Sequence, residues 1–358
     1  MPKLFEPIRL RELEVKNRIW ISPMCMYSAE NQDGMPGAWQ QIHLGSRAIG
    51  GAGLIFAEAS AVSPEGRITP WCAGIWNDEQ AAAWKQIVDI CHSHGSKIAM
   101  QLAHAGRKGS SHREWSGVGS VPISEGGWQC VSATDVAFGE YAAPVRLTES
   151  EIKGLVAAFA GAAKRSVAAG FDAVEIHGAH GYLIHQFLSP LSNDRTDMYG
   201  GSLENRARVL METIHAVRSA IPETMPLFLR LSATDYADGG WDQEQTAEVS
   251  GWATNAGVDL IDVSSGGIAT GIKIPTGPGY QVPLAKYVSE RIKKPVSAVG
   301  QITEAAQAEE ILQSGDVDVI LIGRASLRDP YWPLRAASEL GVEVKWPNQY
   351  DRGKWPKH

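Results

Sequence analysis

The stretch Pro295–Ala325, PVSAVGQITEAAQAEEILQSGDVDVILIGRA, contains a strand, a helix and a second strand in direct succession. Its two ends, Pro295–Ile302 and Val319–Ala325, are nearly continuous apolar runs, which is typical of strands that are covered on both faces. The segment between them, Thr303–Gly315, has helical spacing and ends at a glycine. A helix that joins two buried strands indicates parallel pairing, so this unit predicts an α/β fold with a parallel sheet.

The same alternation runs through the whole chain of 358 residues. Six further strands are predicted at Arg18–Met24, Gly53–Val62, Lys97–His104, Ala173–Gly178, Leu227–Ala233 and Leu260–Gly266. Seven further helices are predicted at Trp39–Gly50, Asp78–Gly95, Thr148–Gly170, Ser202–Pro222, Asp242–Gly257, Pro283–Lys294 and Trp332–Gly341. Eight strands alternating with eight helices predict a closed (β/α)₈ TIM barrel. No linker or low-complexity tract interrupts them, which favours a single domain over residues 1–358.

Two segments do not fit the simple alternation. Pro7–Asn17 precedes the first strand and is expected to form a hairpin lid over the bottom of the barrel. Ser110–Pro144 is a long Gly- and Ser-rich loop after the third strand, and it carries Trp115, Trp128 and Cys130. Loops of this length are usually functional or disordered. This one follows a strand on the face where barrel enzymes have their active sites.

Composition narrows the class of protein. A net charge of -7 argues against a nucleic-acid partner. No apolar run approaches the roughly 20 residues that a membrane span requires, and the first residues lack a signal pattern, so a soluble cytoplasmic protein is expected. The cysteines have no CxxC spacing and are expected to be buried, reduced thiols. They are Cys25, Cys72, Cys91 and Cys130.

Glycines follow the last two predicted strands directly. Gly300 and Gly323 would let backbone N–H groups approach an anion closely, and Arg324 would add a charged donor. This corner of the barrel is the usual phosphate site of the fold. The alternative is that both glycines serve only as tight turns.

Arg230 interrupts Leu227–Leu231, a run that otherwise suits a buried strand. A guanidinium there is costly unless an anionic or strongly accepting group meets it. The pyrimidine edge of a flavin becomes anionic on reduction, and Gln101 on the third strand could hydrogen-bond the same edge. The alternative is an internal salt bridge from Arg230 to Glu58 or Glu175.

The segment His177–Tyr182, HGAHGY, has residues suited to substrate chemistry. Two neutral imidazoles, His177 and His180, can hold one carbonyl or nitro oxygen, and Tyr182 can supply a proton to the neighbouring carbon. A metal site would need a third ligand and usually a helix, so no metal is expected. The other histidines considered are expected to be surface or packing residues: His43, His92, His94, His112 and His185.

At these residues the chain resembles the old yellow enzyme family. The likeness is to its thermophilic-like subgroup of FMN-dependent ene-reductases, close to the xenobiotic reductases, and it extends from Leu4 to Arg352. The matching segments are Lys16–Arg18, Ser22–Tyr27, Gln101–Lys108, His177–Tyr182, Phe187–Asn193, Arg195–Asp197, Tyr199–Ser202 and Glu204–Arg206.

The resemblance implies bound FMN, with NADPH or NADH as a transient hydride donor. It implies that FMN is held by Ser22, Pro23, Met24, Cys25, Ala59, Gln101, Arg230, Gly300, Gly323 and Arg324. Cys25 would lie near the reactive flavin nitrogen and tune its potential. Tyr27, His177 and His180 would hold the electron-withdrawing group of an α,β-unsaturated carbonyl, a maleimide or a nitro compound, and Tyr182 would protonate its α-carbon.

The resemblance also implies an assembly. Arg352 resembles a C-terminal arginine that reaches the site of a neighbouring subunit, which implies a homodimer or homotetramer with the tail at about 342–358 in the interface. The long loop departs from compact members of the family, so substrate preference is open.

Three alternative functions were considered: a dienoyl-CoA reductase relative, a non-redox phosphate-binding barrel and a flavin-storage protein. The first has an iron–sulfur cysteine cluster, and the others would not use the Arg230 and His177 clusters.

Overall fold

Eight parallel strands close into a barrel in the computed structural model, which describes residues 1–355. In chain order they are β1 Ile19–Ile21, β2 Leu54–Phe56, β3 Lys97–Ala103, β4 Ala173–Gly178, β5 Leu227–Ser232, β6 Leu260–Ser264, β7 Val296–Ala298 and β8 Val319–Ile322. Each strand pairs with the next one along the chain, and β8 pairs with β1 to close the ring. The predicted TIM barrel is confirmed.

The helices lie outside this ring. They are α1 Ala38–Ile49, α2 Asp78–Ser93, α3 Glu149–Ala168, α4 Leu203–Ala220, α5 Gln243–Asn255, α6 Val282–Ser289, α7 Ala305–Ser314 and α8 Trp332–Glu339. The start of α3 shows why a helix begins at this point. Thr148 Oγ1 accepts a hydrogen bond from the backbone of Glu151, and the Glu151 carboxylate accepts one from the backbone of Thr148. This capping box satisfies two N–H groups that the helix itself leaves free.

Most helix bounds lie within a few residues of the sequence prediction, whereas β1, β7 and β8 are shorter than predicted, and two further differences stand out. The second predicted strand, Gly53–Val62, is interrupted between β2 and the short strand Ser60–Ala61. Glu58 lies in the gap and accepts hydrogen bonds from Met26 and Gln40. Two short helices, Leu183–Leu188 and Arg324–Arg328, follow β4 and β8 and were not predicted.

The N-terminal segment lies at the bottom of the barrel. Ile8–Leu10 and Leu13–Val15 form the predicted antiparallel hairpin. Their buried apolar side chains pack in one cluster with interior residues of the barrel, among them Trp20, Phe56 and Phe228. Trp20 and Phe228 have ring centroids 5.6 Å apart. Because side chains fill the barrel interior at this end, the candidate site is sought at the opposite end, where the strands terminate in polar residues.

Two further observations concern the expectations from composition. Within residues 1–355, no helix combines the length and apolar character needed to cross a membrane. All four cysteines are free thiols; Cys72, Cys91 and Cys130 are buried as expected, but Cys25 is only partly buried. Cys25 differs because it borders a cavity at the carboxyl end of the barrel.

Candidate active site

Two adjoining cavities open at the carboxyl ends of the strands. The first, of about 530 Å³, is called here the arginine cavity because Arg230, Arg324 and Arg328 line it. The second, of about 310 Å³, is called the histidine cavity because His177 and His180 line it. Arg230 borders both, so the two spaces meet at its guanidinium. Their sizes fall in the range of ordinary small-molecule sites.

The arginine cavity is built to receive an anion. Its described lining contains three arginines and no carboxylate. Gly300 and Gly323 lie at its edge, as the sequence predicted. A Cβ at Gly323 would meet no atom within 4 Å, so this backbone faces open space. Gly300 has a φ of +124°, and a Cβ there would come within 2.9 Å of the Gln281 side chain, so a close approach requires glycine.

Arg230 has an acidic neighbour that the sequence analysis did not name. Its Nε lies 3.2 Å from Oδ2 of Asp262, a fully buried residue on the adjacent strand β6. Its Nη1 donates to Ser22 Oγ at 3.3 Å. The expected internal partners were Glu58 and Glu175. Glu58 is instead bound by Gln40, so that pairing is wrong, and the strand register explains Asp262, which lies directly opposite Arg230.

Glu175 and Asp262 form a buried carboxyl pair beneath Arg230. Oε2 of Glu175 and Oδ2 of Asp262 both lack a hydrogen-bond donor within residues 1–355, yet the two side chains are within hydrogen-bonding reach of each other. Burial, and then the charge of Asp262, raise the pKa of Glu175 well above its usual value. A proton on Glu175 therefore satisfies both oxygens and leaves one negative charge opposite Arg230.

Gln101 and Ser297 complete the polar floor of the barrel. Gln101 Nε2 donates to Glu175 Oε1 at 3.1 Å, and Ser297 Oγ donates to Asp262 Oδ1 at 2.9 Å. Gln101 also borders the histidine cavity. The floor thus carries one cation, Arg230, and one negative charge on the carboxyl pair, and it faces the point where the two cavities meet.

His177 and His180 lie together on the wall of the histidine cavity. Their ring centroids are 5.1 Å apart and nearly perpendicular. His177 Nδ1 accepts a hydrogen bond from the Ala179 backbone at 3.2 Å, which leaves the proton of a neutral ring on Nε2. Burial and the nearby charge of Arg230 lower the pKa of both histidines well below the usual value. Both rings are therefore neutral near pH 7.

The loop that presents these histidines is held from behind. His180 has a left-handed φ of +59°. Lys108 Nζ donates to the backbone oxygens of His180 and Gly267, at 2.8 and 3.0 Å. His185, expected to be a packing residue, is buried; its Nδ1 accepts from the Gly181 backbone, and its Nε2 lies 3.1 Å from Asp235. These contacts fix the backbone on which His180 stands.

Two tyrosines face the same cavity. The ring centroid of Tyr182 is 5.1 Å from that of His177, and its hydroxyl has no hydrogen-bond partner among residues 1–355. Burial raises the pKa of Tyr182, and likewise that of Tyr27, so both phenols keep their protons. A phenol that is neutral, free and next to the histidine pair has the state required of a proton donor.

The structure places most of the predicted residues in these two spaces. Met24, Arg230, Gly300, Gly323 and Arg324 line the arginine cavity, and Pro23, Cys25, Tyr27, Ala59, Gln101, Arg230, His177, His180 and Tyr182 line the histidine cavity. Ser22 lies behind them against Arg230. Arg352 is the exception: it is exposed in the 3₁₀ helix Asn348–Gly353 and lines neither space.

Several residues that line the two cavities were not predicted from the sequence. Glu114 and Trp115, from the long loop, line the histidine cavity, and Tyr280, Gln281 and Arg328 line the arginine cavity. The placement of Trp115 depends on how the loop folds back, which periodicity does not predict. Arg328 follows a strand end by only a few residues, so the rule that barrel sites collect strand-end loops would have included it.

The paired cavities fit a flavin mononucleotide. Three arginines and open glycine backbone suit a phosphate at one end, and a compact cavity with neutral hydrogen-bonding groups suits a ring at the other. Arg230, with an Nε that lacks a well-aligned partner within residues 1–355, lies where the two parts would join. These donors suit a mononucleotide whose polar ring edge lies against the Arg230 guanidinium.

Comparison with known proteins agrees with this geometry. Residues 3–343 match the model of the NADH:flavin oxidoreductase / NADH oxidase family. The chain is 45% identical over 350 residues to an NADPH dehydrogenase of Bacillus cytotoxicus, covering 98% of this chain and 96% of the relative. It is 46% identical over 352 residues to an NADPH dehydrogenase of Listeria innocua serovar 6a, covering 98% and 99%.

Solved structures show the same architecture. Morphinone reductase in complex with tetrahydroNAD superposes with a TM-score of 0.78 at 29% identity, covering 100% of this chain and 98% of that one. A 2-naphthoyl-CoA reductase complex gives a TM-score of 0.85 at 26% identity, covering 95% of this chain and 52% of that one. The chain therefore belongs to the old yellow enzyme family of FMN-dependent oxidoreductases, in which NAD(P)H is the hydride donor.

Proposed function

We propose that this enzyme reduces activated C=C bonds of α,β-unsaturated carbonyls, maleimides and nitro compounds. The observation that carries the proposal is the histidine cavity, where two neutral imidazoles and one free phenol surround a space bordered by Arg230. Such a set can bind one polarised oxygen and deliver one proton, which is what reduction of a conjugated double bond needs besides hydride.

When bound, FMN would supply hydride transfer from NAD(P)H to the β-carbon of the substrate. We assign its binding to Ser22, Pro23, Met24, Cys25, Ala59, Gln101, Arg230, Gly300, Gly323 and Arg324. Arg324 and the two glycines would hold the phosphate, and Arg230 with Gln101 would hold the pyrimidine edge. The proton on Glu175 keeps Arg230 from being neutralised by two carboxylates, which supports its action on an anionic ring edge.

The substrate oxygen would be held by the histidine pair. The Nε2 proton of His177 is free to donate, because Nδ1 already accepts from the Ala179 backbone. His180 Nε2 lies 2.7 Å from Ser264 Oγ. The imidazole can give up this contact and bind the substrate oxygen instead. As negative charge develops on the oxygen, two donors in a buried setting stabilise it more strongly than water would. Tyr27, on the same cavity, would assist in holding this group.

Tyr182 would protonate the α-carbon. Its phenol stands beside His177, and its raised pKa keeps the proton in place until a carbanion-like centre forms. Cys25 also borders this cavity. Burial raises the pKa of its thiol well above the usual value, so it stays a neutral thiol and would tune the flavin rather than attack the substrate.

We further propose a homodimer, or a tetramer of dimers. Large apolar side chains are exposed on α1 and in the tail, among them Trp39 at 57%, Ile42 at 72% and Tyr350 at 39%. Tyr350 is tied to the body through the hydroxyl of Tyr331, 3.2 Å away, which orients the helix that carries Arg352. Since Arg352 lines neither cavity of its own subunit, its proposed role in substrate binding requires a second subunit. The last three residues of the tail lie outside the described part of the chain.

Replacing the proton donor tests the proposal. In Tyr182→Phe, we expect flavin reduction by NADPH at a nearly normal rate and reoxidation by cyclohexenone slowed by ~100-fold, since general acid catalysis contributes about 10²–10⁴. Anaerobic rapid mixing measures each half-reaction separately. Tyr287→Phe, which removes a hydroxyl that bonds Glu244 at the surface, is the control and should alter neither. Equal slowing of both half-reactions would show that Tyr182 does not act as the donor.

A further inference from the structure

We propose that Trp115 and Glu114 form the outer wall of the histidine cavity and select flat, conjugated substrates that carry no negative charge. The inference rests on the proposed reduction of activated C=C bonds and concerns which substrates that site accepts. Both residues lie near the start of the long loop, in the turn between the bridged Ser111 and Ser120, and both line the cavity together with His177 and Tyr182.

Trp115 is held at the cavity by a stack of side chains. Its ring centroid lies 6.0 Å from that of Tyr27 on the cavity side. On the other side the Arg113 guanidinium lies 5.5 Å from the Trp115 ring and 4.2 Å from the Trp71 ring. Arg113 also pairs with Glu30 at 2.9 Å. Cation–π contacts and an ion pair thus fix the position of the indole.

The backbone on both sides of Trp115 is also fixed. Ser111 N donates to Ile68 O at 2.9 Å, and Ser111 forms a β-bridge with Ser120. Ser116 N donates to Arg113 O at 2.8 Å, which closes a turn around Glu114 and Trp115. Hydrogen bonds therefore hold this turn of the loop in place, although Trp115 is 66% exposed.

An indole that is fixed but uncovered beside a cavity offers a face for stacking. A flat conjugated ring, with its oxygen at the histidine pair, would extend from His177 toward Trp115 and cover this apolar surface. Stacking of a ring on an aromatic side chain is worth roughly 1–3 kcal/mol, or about 5- to 150-fold in affinity. A flexible alkyl chain would gain less, because it cannot match the plane of the indole.

Glu114 adds a preference for the charge of the substrate. Its carboxylate is the one acidic group among the described residues that line the histidine cavity, and it lies near enough to Tyr27 and Tyr182 to contribute to their raised pKa. Among the nearby cations, Arg230 borders the cavity beside the histidine pair, Lys108 is occupied by backbone oxygens, and the charge of Arg113 beside Trp115 is offset by its ion pair with Glu30. The outer end of a bound substrate therefore meets negative charge, which disfavours a carboxylate and favours an ammonium group.

Matched cinnamaldehydes test both parts. Their kcat/KM values are compared with that of trans-2-hexenal, using holoenzyme, NADPH and anaerobic conditions. For Trp115→Ala, we expect the cinnamaldehyde-to-hexenal ratio to fall by about tenfold. For Glu114→Gln, we expect 4-carboxycinnamaldehyde to improve by roughly fivefold and the 4-trimethylammonio derivative to worsen by a similar factor, as a single charge several ångströms away implies in a partly solvated site.

Two residues of the same loop provide controls. Trp128 stacks on Arg67 and Glu125 is exposed, and neither lines the histidine cavity. Trp128→Ala and Glu125→Gln should leave every ratio unchanged. Unchanged ratios in Trp115→Ala and Glu114→Gln would overturn the inference while the ene-reductase proposal stands. If the wild type is reduced by NADPH but turns over none of the aldehydes, the proposed function itself fails.

Discussion

At the scale of single residues, Arg230 shows how a break in a pattern carries information. A cation within an apolar strand predicted a ligand or a counter-charge, and the structure supplies a counter-charge in Asp262 together with two cavities at the guanidinium. Of the two carboxylates expected as internal alternatives, Glu58 is bound by Gln40 instead, and the contact of Arg230 with a flavin edge stays a prediction. Strand alternation predicts which face a residue takes, whereas the opposite residue depends on register between strands, which local sequence does not determine.

Replacing Arg230 separates its two partners. We expect Arg230→Met to weaken FMN binding by about 10- to 100-fold, since hydrogen bonds to charged groups contribute roughly 1.5–3 kcal/mol. The variant should also lose stability, because Asp262 then stays buried without a cation. Arg230→Met with Asp262→Asn should recover the stability but not the affinity. FMN fluorescence on titration and chemical unfolding measure the two effects. Normal FMN affinity in the double variant would contradict the assignment of Arg230.

The histidines predict a distinctive pH response. Burial lowers the pKa of His177 and His180, so both are uncharged on the alkaline side of that lowered value. Between pH 6 and pH 8 neither ring should change charge, and the affinity of the oxidised enzyme for a phenol such as 4-hydroxybenzaldehyde should be constant. Charge-transfer absorbance titrations measure it. A transition centred near pH 6.5 that disappears in His177→Ala would contradict the neutral pair.

At the scale of elements, the strands and helices were largely predictable and the loops were not. The predicted bounds of β4, Ala173–Gly178, agree at both ends because the strand begins with the buried Ala173 and Val174 and ends at a glycine. β7 is shorter than predicted because the carbonyl of Val299 accepts from Gln281 and Gly300 turns the chain. Both causes are contacts between distant segments, which is also why the position of Trp115 over the site could not be predicted.

Two loops meet at Gly181 and Gly267, and this contact makes a quantitative prediction. Gly181 has a φ of +71°, and a Cβ there would lie 2.0 Å from the Gly267 oxygen. We expect Gly181→Ala to cost about 2 kcal/mol or more, from the left-handed backbone and the overlap. Gly251, within α5, has a free Cβ direction, so Gly251→Ala should stabilise by up to ~1 kcal/mol. Urea unfolding measures both, and equal stabilities would contradict this packing.

At the scale of the whole molecule, the barrel brings together residues that are far apart in the chain. Ser22, Gln101, His177, Arg230 and Gly323 come from five different strands or the turns that follow them, and closure between β8 and β1 places them around one entrance. Sequence reasoning predicted this set because it needed only the order of the strands. It did not predict Asp262, whose position depends on strand register. It also did not predict the outer wall at Glu114 and Trp115, which depends on the fold of the long loop.

The central claim is that one site takes hydride from NADPH through FMN and delivers it, with a proton from Tyr182, across an activated double bond. The direct test is an anaerobic cycle in ²H₂O with cyclohexenone. We predict that NADPH bleaches the flavin absorbance, that the enone restores it, and that the product carries solvent deuterium at the α-carbon. Flavin that stays reduced in the presence of the enone, or a product without solvent deuterium at the α-carbon, would contradict the account.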